Sequence, residues 1–171
     1  GAKPTTAPAG PRGGKVTVKT ELRQPVIALA WPLPTAPAQR AKVMSVAALL
    51  NGRVNYHLKG RSYLTTYGEG AATTVTMLVE PAHDESIDDA LEAAERGVAG
   101  ALQWLEDEEA QSVKQASQAE FYQSMEDSFD RDTQIARQLA RGESIADNVQ
   151  ASLTAIGQLS RDTARDVSRE H

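Results

Sequence analysis

The sequence predicts an α+β domain, a mainly antiparallel sheet with helices packed on one face. Three observations carry this. Short segments of period two fill the chain before Pro81, apart from one helical stretch. Helical periodicity then runs on to the end. The composition, 40% hydrophobic and 24% charged over 171 residues, is that of a globular domain with one sizeable core. No run of about 18 apolar residues occurs, so no segment is predicted to span a membrane.

Seven of the eight prolines lie before residue 38, and residues 1–14 (GAKPTTAPAGPRGG) read as a flexible Pro/Gly linker. A single domain is expected over 15–171. Val16 and Val18 alternate with Lys15, Thr17 and Lys19, which predicts a short strand with one wet face. Residues 25–33 (PVIALAWPL) are apolar on both faces, as in a central strand, with Pro32 marking the end. A helix is predicted over 36–51, with Val43, Val46, Ala47 and Leu50 in its stripe. Gly52 is its expected stop, and a short helical piece follows at 53–59. Two strands, 62–68 and 71–80, meet near Gly68 and Gly70, with Val75, Met77 and Val79 on one face of the second. The total is four strands. Gly68-Glu69-Gly70 lacks a third glycine and a following helix, so it reads as a turn and not a phosphate cradle.

Beyond Pro81, Ile87, Leu91, Ala94, Val98, Ala101 or Leu102, and Leu105 make one stripe over 84–106, and Ser86-x-x-Asp89 is close to a capping box. A second helix is expected over 107–127, with Val113, Ala116, Phe121 and Met125 inward. A third covers 130–141 and stops at Gly142. A fourth covers 144–156, and Ser160 caps a last helix through Val167. Trp31 and Trp104 are expected in or near the core.

The chemistry is defined by what the chain lacks. It has three histidines, His57, His83 and His171, and no cysteine, so it can form neither disulfides nor thiolate metal sites. No His-x-x-Glu-His or His-Glu-x-x-His occurs. His57 and His83 are expected as surface residues, not ligands. Absence of cysteine suits a cytoplasmic or a periplasmic protein equally. A start at Gly1, with no Met, reads as a piece excised from a longer chain, so targeting is silent. Net charge is −5 and unevenly spread: residues 1–82 hold ten Lys/Arg against three Asp/Glu, residues 83–171 eight against twenty. The basic residues are scattered and do not alternate with aromatics, so no nucleic-acid partner is expected.

The segment PVIALAWPLPTAPAQRAKVMSVAALLNG (25–52) resembles the M16 (pitrilysin or insulinase-like) metallopeptidases. In their repeated domain a strand ends in proline and leads to a helix closing on a Leu-Gly-Gly-like turn, where Leu50-Asn51-Gly52 stands here. Tyr56-His57-Leu58-Lys59 followed by Tyr63-Leu64-Thr65-Thr66-Tyr67 resembles the family's Leu-Arg segment and Tyr-bearing strand. DEEAQSVKQA (107–116) and LTAIGQLSRDTARDV (153–167) resemble its later helix start and closing pattern. The resemblance thus runs from residue 25 to residue 167 and implies an M16 domain of the LuxS/MPP-like fold.

Such peptidases are built from homologous halves. One half binds zinc through His-x-x-Glu-His on its first helix, with the glutamate activating water. Here that helix reads AQRAKVMSVAALLN, without a ligand. The resemblance therefore implies a non-catalytic, substrate-enclosing half, with no catalytic residue, metal ligand or cofactor of its own. Zinc is expected in a zinc-bearing partner half, on the same chain or another, and a peptide is the expected substrate. The family's second half contributes an Arg and a Tyr toward substrate. Lys59 stands at the Arg position, while the Tyr position falls on Thr66, with Tyr67 one residue late. Lys59, Tyr67 and Arg61 are the candidate substrate-binding residues, with Arg53 near them in sequence. The alternative is a structural or interaction subunit on the same fold with no peptidase activity.

Overall fold

The computed structural model describes residues 25–67, 73–140 and 142–170. The predicted linker at 1–14, the strand at 15–19 and the Gly68-Glu69-Gly70 turn lie outside them. The element order is β1 (Ile27–Pro32), α1 (Pro37–His57), β2 (Ser62–Tyr67), β3 (Thr74–Val79), α2 (Ile87–Trp104), α3 (Asp107–Glu126), α4 (Ser128–Ala140), α5 (Ile145–Gly157) and α6 (Arg161–Glu170). This is the α+β layer predicted, with an antiparallel sheet.

Among the described residues the sheet has three strands, in the order β1-β3-β2 with both pairs antiparallel, and the fourth expected strand, at 15–19, lies outside them. The central strand is β3. Its Val79, Met77 and Val75 pair with Ile27, Leu29 and Trp31 on one side and with Ser62, Leu64 and Thr66 on the other. These rows face the helices. The opposite face carries Ala28, Ala30, Tyr63, Thr65 and Tyr67 around Thr74, Thr76 and Leu78. The reading of 25–33 as a two-faced central strand is therefore corrected. Ala28, Ala30 and Pro32 are exposed, and β1 alternates like a strand with one wet face. Small alanines made the segment look apolar throughout.

The helix α1 also departs from expectation. It passes straight through Gly52, so the predicted stop and the separate piece at 53–59 merge into one helix of 21 residues. A mid-helix glycine costs about 1 kcal/mol. Fully buried Leu49 and Val54 on either side of Gly52 offset this. The real end is a Schellman motif. Gly60 N–H donates to Asn55 O at 2.8 Å and Lys59 N–H to Tyr56 O at 3.1 Å, and Lys59 takes the left-handed conformation with φ 54°.

Two core clusters meet on α1. Val43, Val46 and Leu49 pack with Leu33, Val75, Leu105, Ala164 and Val167. Val54 and Leu58 pack with Ile27, Met77, Val79, Ala90, Ala94 and Ala101. The inner face of α2 is made of small residues, so it approaches α1 closely. A Cβ on Gly97 would stand 3.4 Å from Val54 Cγ1. The predicted α2 stripe holds at Ala94, Ala101 and Leu105, which are buried, whereas Ile87 is exposed and Ala90, Gly97 and Gly100 are buried as well. Trp104 is half-exposed, whereas Trp31 packs against both clusters. In α3 only Ala110 is buried, and Ala116, expected inward, is exposed.

The helix boundaries follow local chemistry. Ser86 caps α2, its Oγ accepting from Asp89 N–H at 3.1 Å. Ser144 and Ser160 cap α5 and α6 in the same way. Gly142, with φ 68°, ends α4 as predicted.

Candidate functional site

The place where a zinc motif would stand is α1. This helix contains no Asp, Glu or Cys and one histidine, His57, in its last turn. Two ligands one helical turn apart are therefore unavailable, and the residues present do not fit a zinc ion. His57 instead lies against Trp104, ring centroids 5.9 Å apart and tilted by 39°. His83 is exposed in the segment before α2. Among the described residues no three His, Cys, Asp or Glu side chains gather where they could share an ion.

The predicted substrate-binding residues fall at two ends of β2. Lys59 sits at the end of α1, with an exposed side chain. Next to it, Arg61 serves as a brace. Its Nε donates to Leu58 O at 3.0 Å, and its Nη1 donates to Glu80 O at 3.0 Å and to Glu85 Oε2 at 2.5 Å. This guanidinium joins the end of α1, the end of β3 and the segment leading to α2. The Glu85 carboxyl also accepts from Ala82 N–H at 2.9 Å. Its pKa is held below the ordinary 4.5 by that backbone bond first and by the Arg61 guanidinium second.

Tyr67 lies at the opposite end of β2. It belongs to the sheet face turned away from the helices and shares that face with Tyr63 and Thr65; Tyr67 is 54% exposed and Tyr63 47%. Six strand residues span roughly 20 Å, so the fold separates Tyr67 from Lys59 and Arg61. Arg53, near them in sequence, turns elsewhere: its Nε pairs with Glu109 at 2.6 Å and its Nη2 donates to Trp104 O.

One polar cluster was not foreseen from sequence. Arg40, in the first turns of α1, bonds Glu143 Oε2 at 2.8 Å and Asn148 Oδ1 at 3.0 Å, and Asn148 Nδ2 in turn donates to Ser144 O. The Arg40 and Glu143 side chains are mostly buried. Their partners lie more than a hundred residues apart in sequence, and no local pattern announces such a contact. The cluster borders a cleft of about 490 Å³ whose walls come from α1, α3, α4 and α5.

No family model matches this chain, and no curated protein matches it. Solved structures do. The inactive peptidase domain of a protein assigned as a zinc protease in Bordetella parapertussis superposes with a TM-score of 0.68 at 14% identity, covering 90% of this chain and 88% of that one. A chain assigned as a zinc protease from Bordetella pertussis Tohama I gives 0.65 at 12% identity, with 84% of each chain covered. An insulinase-family protease from Yersinia pestis gives 0.52 at 13% identity; it matches 88% of this chain, which spans 38% of that protein. The chain therefore has the fold of an M16 protease domain.

Proposed function

We propose that this chain is the non-catalytic, substrate-enclosing domain of an M16-like zinc metallopeptidase and acts with a zinc-bearing half. The observation that carries the reading is the coincidence of fold and vacancy of chemistry. The architecture is that of M16 domains, including one described as inactive, while the helix that would hold the metal has one histidine and no acidic residue. Zinc and its activated water would come from the partner half, and peptide is the substrate class. A further structure of this fold, the ferredoxin protease FusC, is a complex with Arabidopsis ferredoxin; the chain spans 17% of that protein. It supports a polypeptide ligand for folds of this kind.

In this reading the sheet face bearing the exposed Tyr63 and Tyr67 lines the chamber. Tyr67 offers a phenol to a peptide carbonyl and Lys59 a cation near the rim, while Arg61 holds the rim's shape through Glu80 and Glu85. The test is reconstitution with the zinc-bearing half from the same gene or its neighbour. Each part alone should leave a fluorogenic peptide uncut, and the mixture should cleave it. Tyr67→Phe and Lys59→Ala should each lower turnover by about tenfold with folding intact, as expected for a lost hydrogen bond of about 1.4 kcal/mol in the transition state. Full activity of the zinc half without this chain would end the enclosing role.

A further inference from the structure

We propose that α3 and α4 form a hinged arm, which swings away from the polar cleft on α1 and α5 while the rest of the domain stays folded. Burial is the first support. Ala110, at the arm's root, is buried in the core with Leu105. Beyond it, from Gln111 to Ala140, no described side chain is buried, whereas α1 buries four. The two arm helices pack chiefly on each other and on α5. Gln134 Nε2 reaches Ser124 Oγ at 3.5 Å, a weak bond internal to the arm. An open cleft of about 490 Å³ lies between Ser117, Phe121 and Ser124 on the arm and Arg40, Met44 and Ser45 on α1.

The inner wall also carries an unmet polar group. Gln138 Oε1 is buried at this cleft without a hydrogen-bond partner. Closure thus leaves an acceptor desolvated, and opening restores its water. Opening uncovers the half-buried Val113, Phe121 and Met125, a smaller apolar set than the core residues that α1 buries. Its two ends are clamped. Leu105 is 1% exposed on the incoming side. On the outgoing side Gly142 holds φ 68°, and Arg40 pins Glu143 and Asn148 just beyond it. Fixed ends and a loosely packed middle make a hinge about residues 106 and 142.

Native-state hydrogen exchange of the full chain, read by mass spectrometry, tests this. Amides of 112–139 should exchange at least about a hundredfold faster than those of 43–54, with little urea dependence, because a local opening exposes little surface. Gln138→Leu removes the unmet acceptor and should slow exchange of the arm about fivefold while leaving 43–54 unchanged. Equal protection and equal urea dependence in the two segments would overturn the proposal, since the arm would then part only with the whole fold.

Discussion

Lys59 bears two demands at once. Its backbone closes α1 in the left-handed region, which costs an ordinary L-residue about 1–2 kcal/mol, and its side chain is the cation proposed at the chamber rim. Glycine meets the first demand and abolishes the second. Lys59→Gly should therefore raise the unfolding free energy by about 0.5–1 kcal/mol, once the greater freedom of unfolded glycine is subtracted, and so raise the urea midpoint. In the reconstituted enzyme the same variant should lower turnover. A residue that is stabilised by its own replacement, yet missed in catalysis, is one retained for its side chain. Glu85 makes a complementary case. Its folded pKa is depressed by Ala82 N–H and Arg61, so its contribution to stability is complete above the ordinary 4.5 and disappears as pH falls through the lower, folded value. Thermal melts of the wild type should lose this contribution as pH falls below about 4.5. Glu85→Gln should be less stable at neutral pH and show a flatter acid limb.

At the scale of elements, what could be read from sequence was local chemistry. Ser86, Ser144 and Ser160 stand before periodic runs and cap them, and Gly142 supplies the positive φ that ends α4. The strand alternation of Val75, Met77 and Val79 survives unchanged because β3 is central and its inner face fully buried. The errors share a different cause. Gly52 looks like a helix stop, but Leu49 and Val54 hold the helix through it by tertiary packing. The end lies instead at Lys59-Gly60, where a bulky residue occupies the position a sequence reader assigns to glycine. Ile87 and Trp104 are large and apolar yet exposed, because α2 buries its Ala and Gly face to let α1 come close. Phe121 and Met125 were expected inward and are only half-buried, since the arm they belong to does not close on the core. Arg40 with Glu143 and Asn148 had no sequence signal: long-range polar pairs leave no periodicity. Of the candidate site, Tyr67 and Lys59 were proposed by resemblance, and the predicted strand at 62–68 already sets them at its opposite ends, as β2 does.

For the whole molecule, the fold tolerates wide sequence difference. At 12–14% identity to the two Bordetella structures, over 84–90% of the chain, the architecture is shared, and α1 of this chain carries one histidine and no acidic residue. The reason is physical. The core requires of α1 that Val43, Val46, Leu49 and Val54 fill the space above the sheet, while Arg40 and Arg53 on other faces pair with Glu143 and Glu109, and none of these contacts calls for a metal ligand. Zinc binding needs three deprotonated protein ligands within about 2.0–2.3 Å of one point, and one isolated histidine supplies a binding free energy far below that of such a site. The isolated chain, freed of any affinity tag, should therefore retain less than about a tenth of an equivalent of zinc after dialysis, and added zinc should leave its melting temperature unchanged, because a ligand that does not bind the native state cannot stabilise it. Elemental analysis and a thermal shift titration read both quantities. One equivalent of retained zinc, with a melting temperature that climbs with metal concentration, would place a metal site in this half and overturn its assignment as the non-catalytic partner.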